Sequence, residues 1–111
     1  MTTTHLVTSH GADFFGEDRY PLKQLQQIAD AALYTIPRAD AEPLAKLLTA
    51  AGSAPREIDP AHAAHLADLL TATAKGRWTP PKVAAPARLL ATAATNAASA
   101  GQSWTWTPAT A

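Results

Sequence analysis

The densest run of chemistry-bearing side chains lies between His10 and Tyr20, where His10, Asp13, Glu17, Asp18 and Arg19 share eleven residues with Gly11, Gly16 and the adjacent Phe14 and Phe15. An imidazole beside Asp13 or Asp18 forms an oriented pair suited to proton transfer or to holding a cation, and the glycines permit sharp turns. The plainer account is a turn pinned to a core by Phe14 and Phe15, with Asp18 or Arg19 against a helix end. His62 and His65 stand three apart, with Asp59 before them and Asp68 after. That spacing keeps both imidazoles near one face, yet two histidines fall short of the three protein ligands of a catalytic zinc, and both also flank an apolar stripe. No metal and no cofactor is expected. Trp78 sits between Arg77 and Thr79-Pro80-Pro81, with Lys75, Lys82 and Arg88 nearby, the closest approach to a basic and aromatic patch for nucleic acid. Four bases over residues 75–88, a net charge of zero and a helix without bases before Lys75 argue against nucleic acid. Packing of Trp78 at a core edge is the plainer expectation.

Helices must position these groups. Leu22, Leu25, Ile28, Ala29, Ala32, Leu33 and Ile36 recur every three or four residues between Pro21 and Pro37, which predicts one amphipathic helix. A second is expected from Asp40 as N-cap, with Pro43 in its first turn and Leu44, Leu47, Leu48 and Ala51 inward, up to Gly52. After a loop over residues 53–58, Asp59-Pro60 predicts a cap and first position for a third helix, burying Ala63, Leu66, Ala67, Leu69, Leu70 and Ala74. Gly76 is expected to stop it by taking the left-handed conformation. Residues 77–81 read as an extended connection. Because Pro86 would break a helix begun at Pro80, a short turn over 80–85 and a main helix from about 86 to Ala100 are predicted, with Leu89, Leu90, Ala93, Ala94 and Ala97 inward.

The ends differ from the middle. Trp104 and Trp106 alternate with Ser103, Thr105 and Thr107, which places both indoles on one side of an extended segment. The segment Thr4-His5-Leu6-Val7-Thr8-Ser9 has matching β-branched content and no helical period, so the two ends are expected to pair. The fold class expected is a mainly α, four-helix single domain spanning residues 1–111, with a minor two-stranded ribbon formed by the N- and C-terminal segments.

Composition bounds the function. Leu, Ile, Val and Phe number only 19 of 111, but 27 alanines and balanced charge fit a folded domain with a thin core. Residues 1–68 hold nine acids against five bases, and residues 69–111 hold four bases and no acid. Mutual attraction of the two parts is the simpler reading, and a basic patch for an anionic partner the other. There is no cysteine, so disulfides and thiolate chemistry are excluded. No membrane span and no secretory signal pattern is seen, so a cytoplasmic location is expected. Glycine-rich phosphate loops, G-x-S-x-G and H-E-x-x-H are missing.

Ser9-His10-Gly11-Ala12-Asp13-Phe14-Phe15-Gly16-Glu17-Asp18-Arg19-Tyr20-Pro21, taken with Ala100-Gly101-Gln102-Ser103-Trp104-Thr105-Trp106, resembles a family of short bacterial proteins known only as a domain of unknown function. The resemblance implies one domain and carries over no catalytic or binding residue. The function expected is a small binding or regulatory module acting through a protein partner, with the His10 to Tyr20 loop (His10, Asp13, Phe14, Phe15, Asp18, Arg19) or Arg77-Trp78 as contact surface. Two alternatives stand beside it. One is a small enzyme or metal-binding protein using His10 and neighbouring carboxylates, and the other a weak nucleic-acid binder through residues 75–88.

Overall fold

The computed structural model describes residues 3–9 and 17–110, in which four helices lie on one face of a four-stranded antiparallel sheet. In chain order the elements are β1 (His5–Ser9), β2 (Glu17–Pro21), α1 (Leu22–Thr35), α2 (Arg38–Thr49), β3 (Arg56–Ile58), α3 (Pro60–Ala74), α4 (Pro81–Ser99) and β4 (Trp104–Ala109). The expectation of a mainly α domain with a two-stranded ribbon is thereby corrected. β1 and β4 do pair, Thr8 opposite Trp106 and Leu6 opposite Pro108, but they form the middle of a sheet of order β2-β1-β4-β3. The edge strands are the ones read as loops. β2 offers a single large buried apolar side chain, Tyr20, and β3 is three residues long, so neither carries the alternating pattern that marks a strand.

The register puts Leu6, Thr8, Tyr20, Ile58, Trp104 and Trp106 on the same face, and all six are buried. Their rings and methyls meet Leu25, Ile28, Leu44, Leu48, Leu70 and Leu90 from the helices in one hydrophobic core. Trp104 and Trp106 contact edge to face, with centroids 5.1 Å apart and an interplanar angle of 86°. On the outer face Arg19, Glu57 and Thr107 are exposed, while Val7 between Arg19 and Thr107 is buried.

Two prolines sit deeper in their helices than expected. α2 begins at Arg38, directly after Pro37, so Asp40 is within the first turn and not the cap; Pro43 is interior. α4 begins at Pro81 and runs through Pro86 without a break, so no separate turn over residues 80–85 exists. Each proline is the sixth residue of its helix, where the missing N–H removes one bond from the ladder while the flanking turns persist. Leu33 and Leu89, placed inward by the periodic reading, are 48% and 54% exposed. α3 and α4 form the most extensive helix pair, and alanines at Ala63, Ala67, Ala87, Ala91 and Ala94 let their backbones approach.

Glycines end the last two helices differently. Gly101 has φ +67°, with Gly101 N–H on the Ala98 carbonyl at 3.1 Å and Gln102 N–H on the Ala97 carbonyl at 3.0 Å, the paired bonds of a Schellman stop. Gly76 has no positive φ. A Cβ there would lie 2.4 Å from Thr35 Cγ2 and 2.7 Å from Thr79 Oγ1, so this position needs glycine for close approach and not for a left-handed backbone.

Candidate contact site: the Tyr34–Trp78 cleft

The close approach at Gly76 shapes a cleft. It lets the chain leaving α3 dock on Thr35 at the end of α1, and a turn closed by Thr79 N–H on the Gly76 carbonyl at 3.1 Å follows at once. Thr79 Oγ1 donates to the Thr73 carbonyl at 2.8 Å and Thr73 Oγ1 to the Leu69 carbonyl at 2.9 Å, tying the turn to the last part of α3. Of the expected extended connection over residues 77–81, Arg77 and Trp78 form a turn, Pro80 is extended and Pro81 is the first residue of α4. Trp78 projects from that turn, 82% exposed. The expectation that it packs at a core edge is corrected, whereas Trp104 and Trp106 are buried.

On the other side Gln27, Asp30, Ala31 and Tyr34 recur at helical spacing along α1 and line the same cleft, which has a volume of about 330 Å³ and is closed below by Val83. Tyr34 is 88% exposed. Arg77 lies over the Trp78 ring at 5.5 Å from its centroid, a cation–π arrangement that limits the indole's freedom before any partner arrives. Lys82 stands on the rim, and Lys75, Arg77 and Arg88 are exposed on the same stretch of chain; among the described residues Asp30 is the one carboxylate lining the cleft. The walls are mainly ring and methyl surface. Such a cleft binds by apolar contact and stacking, and its basic rim favours acidic flanks on whatever enters.

Of the sequence-derived site residues, the structure brings together Arg77 and Trp78 only. His10, Asp13, Phe14 and Phe15 lie outside the described residues. Asp18 and Arg19 belong to β2, not to a loop, and as strand neighbours they take opposite faces. Arg19 Nη2 reaches the Thr110 carbonyl at 3.3 Å. Asp18 accepts a hydrogen bond from the Tyr20 hydroxyl at 3.5 Å. Burial of that phenol, then the Asp18 charge and hydrogen bond, raise its pKa well above the ordinary tyrosine value; the Thr8 hydroxyl offsets a little of this without forming a hydrogen bond of ordinary length. His62 and His65 are exposed on α3, and no group of three His, Cys, Asp or Glu able to hold a metal ion exists among the described residues. Tyr34 is the residue the periodic reading passed over. Its signal was an aromatic ring on the polar side of an amphipathic helix, two positions from the inward Ala32.

Comparison with known proteins adds a family. The model of a domain of unknown function, DUF7739, matches residues 11–107. The chain belongs to this family. No curated protein and no solved structure matches it. Of the central pair of strands the match covers β4 as far as Thr107 and none of β1, and it takes in the residues that line the cleft. None of the described helices is long and apolar enough to cross a membrane.

Proposed function

We propose that this chain is a small binding module that engages a protein partner through the Tyr34–Trp78 cleft. The observation that carries this reading is the exposure of two large aromatic side chains, 88% and 82%, lining the same cleft from different elements. Trp and Tyr are the residues that most often dominate binding energy at interfaces, because each covers a large area with few rotors to immobilise. Leaving both in water costs the isolated molecule stability that burial against a partner returns. Leu89 extends the apolar surface, since it stands seven residues beyond Lys82 and so on the same side of α4. The partner chemistry that fits is an apolar or proline-bearing segment with acidic flanks, matched to Arg77, Lys82 and Lys75.

The test is affinity capture from the native host with the purified chain as bait, run in parallel with Trp78→Ala and Tyr34→Ala. Both residues are exposed, so the variants should keep the wild-type melting temperature within about a degree or two, while retention of the partner falls roughly tenfold or more for each. Equal recovery of the same proteins by wild type and Trp78→Ala would remove this reading. Recovery of nucleic acid in place of protein, lost steeply as salt is raised, would replace it with the stacking and phosphate-binding alternative.

A further inference from the structure

A second cleft, of about 390 Å³, opens between α2 and α3, away from the residues of the first. Its floor is apolar, with Leu44 and Leu66 both buried. Two cations line its rim, Lys46 from α2 and Arg56 from β3, beside the imidazoles of His62 and His65 from the first turns of α3. Among the described residues Asp40 is the one carboxylate that lines it. Nearby acids are committed elsewhere, since Glu42 pairs with Arg38 at 2.7 Å and the Asp59 side chain accepts from the His62 backbone N–H at 2.8 Å as the cap of α3.

Arg56 is the decisive group. Its strand position opposite Trp106 draws the side chain beneath the helices, where it is half-buried. Among the described residues its guanidinium makes one long contact, Nη2 to the Ala50 carbonyl at 3.5 Å, and its Nε is buried without a hydrogen-bond partner. No carboxylate pairs with it among the described residues. A half-buried cation without a counter-charge is costly, and an anion supplied from outside is the chemical complement of such a group. A cavity in the size range of small-ligand sites, with an apolar floor and convergent cations at its mouth, selects molecules that have both features.

We propose that this cleft binds a small organic carboxylate with an apolar body, the carboxylate held between Arg56 and Lys46 and the body laid over Leu44 and Leu66. It is independent of the protein-partner reading, because the two clefts share no residue. The probe is octanoate below its micelle concentration, with 1-octanol as the neutral isostere, followed by amide chemical shifts on the full chain. Octanoate should give saturable shifts centred on Leu47, Ala50 and Leu66, with affinity about tenfold or more above that of octanol, the worth of a charge-assisted hydrogen bond. Arg56→Gln and Lys46→Gln should each weaken octanoate severalfold and leave octanol unchanged. Lys46 is exposed, so its variant keeps the test valid even where loss of Arg56 disturbs β3. No saturable shift at millimolar octanoate, equal affinity for the alcohol, or shifts centred on Tyr34 and Trp78 would each overturn the proposal.

Discussion

At the residue scale, three residues give sharp expectations. Tyr20 is buried and its phenol resists ionisation, so above about pH 10 the unfolded chain releases a proton that the folded chain keeps. The folded state then binds more protons, and unfolding free energy falls as pH rises through that range. Melting curves between pH 9 and 11 should fall more steeply for the wild type than for Tyr20→Phe; parallel slopes would show that the phenol carries no such linkage. Gly76 and Gly101 form a second test, because one needs space and the other needs a positive φ. Gly101→Asn should cost less than Gly101→Ala, since asparagine tolerates the left-handed region, while at Gly76 the larger asparagine should cost more than alanine. Each alanine change is expected to cost on the order of 1–2 kcal/mol by chemical denaturation. In sequence Gly76 reads as a left-handed helix stop, yet it is Gly101 that has the positive φ. Steric demand from Thr35, forty-one positions upstream, cannot be read from local pattern.

At the element scale, the two tryptophans of β4 are alike in burial and differ in bonding. Trp104 Nε1 donates to the Ser9 carbonyl at 3.0 Å, whereas Trp106 Nε1 is buried without a partner. Replacement by phenylalanine should therefore destabilise more at Trp104 than at Trp106, by about 1–3 kcal/mol, because only the first change removes a satisfied bond and strands a carbonyl. Calorimetry of the two variants measures the difference directly, and the reverse order would contradict the assigned bonding. The interior prolines give a further expectation. Pro43 is exposed on α2, so Pro43→Ala should restore one ladder bond and raise stability by roughly 1–2 kcal/mol, while Pro86, buried on α4, loses packing that offsets the gain. The helical periods of α1 to α4 and the Asp59-Pro60 start were legible from spacing and caps. Helix starts at Arg38 and Pro81 were not, because Asp40 reads as a cap that puts Pro43 in the first turn, and Pro86 reads as a break although it removes a single bond. β2 and β3 were illegible for a different reason: edge strands are held by their neighbours' backbone, and Glu17-Asp18-Arg19 and Arg56-Glu57 carry no alternation to display.

At the scale of the whole molecule, the first and last described segments meet as the two central strands, so the sheet that supports every helix is completed only when the chain ends are joined. Both clefts depend on that platform: Arg56 is placed by pairing with β4, and the α1 wall of the Tyr34–Trp78 cleft starts directly from β2. The charge asymmetry along the sequence finds a place in part, because Lys82 lines the aromatic cleft and Arg77 lies over the Trp78 ring. Half of the cleft was visible as Arg77-Trp78, and the other half was hidden because only the fold brings Tyr34 to face it. The most direct test of the cleft as the contact surface is in-cell photo-crosslinking in the native host from a benzophenone side chain placed at Lys82 on its rim, with Thr107 on the outer sheet face as control. A discrete protein adduct from position 82, absent from position 107 and abolished by Trp78→Ala, is the predicted result. An adduct that persists with Trp78→Ala, or one formed from position 107 alone, would contradict it.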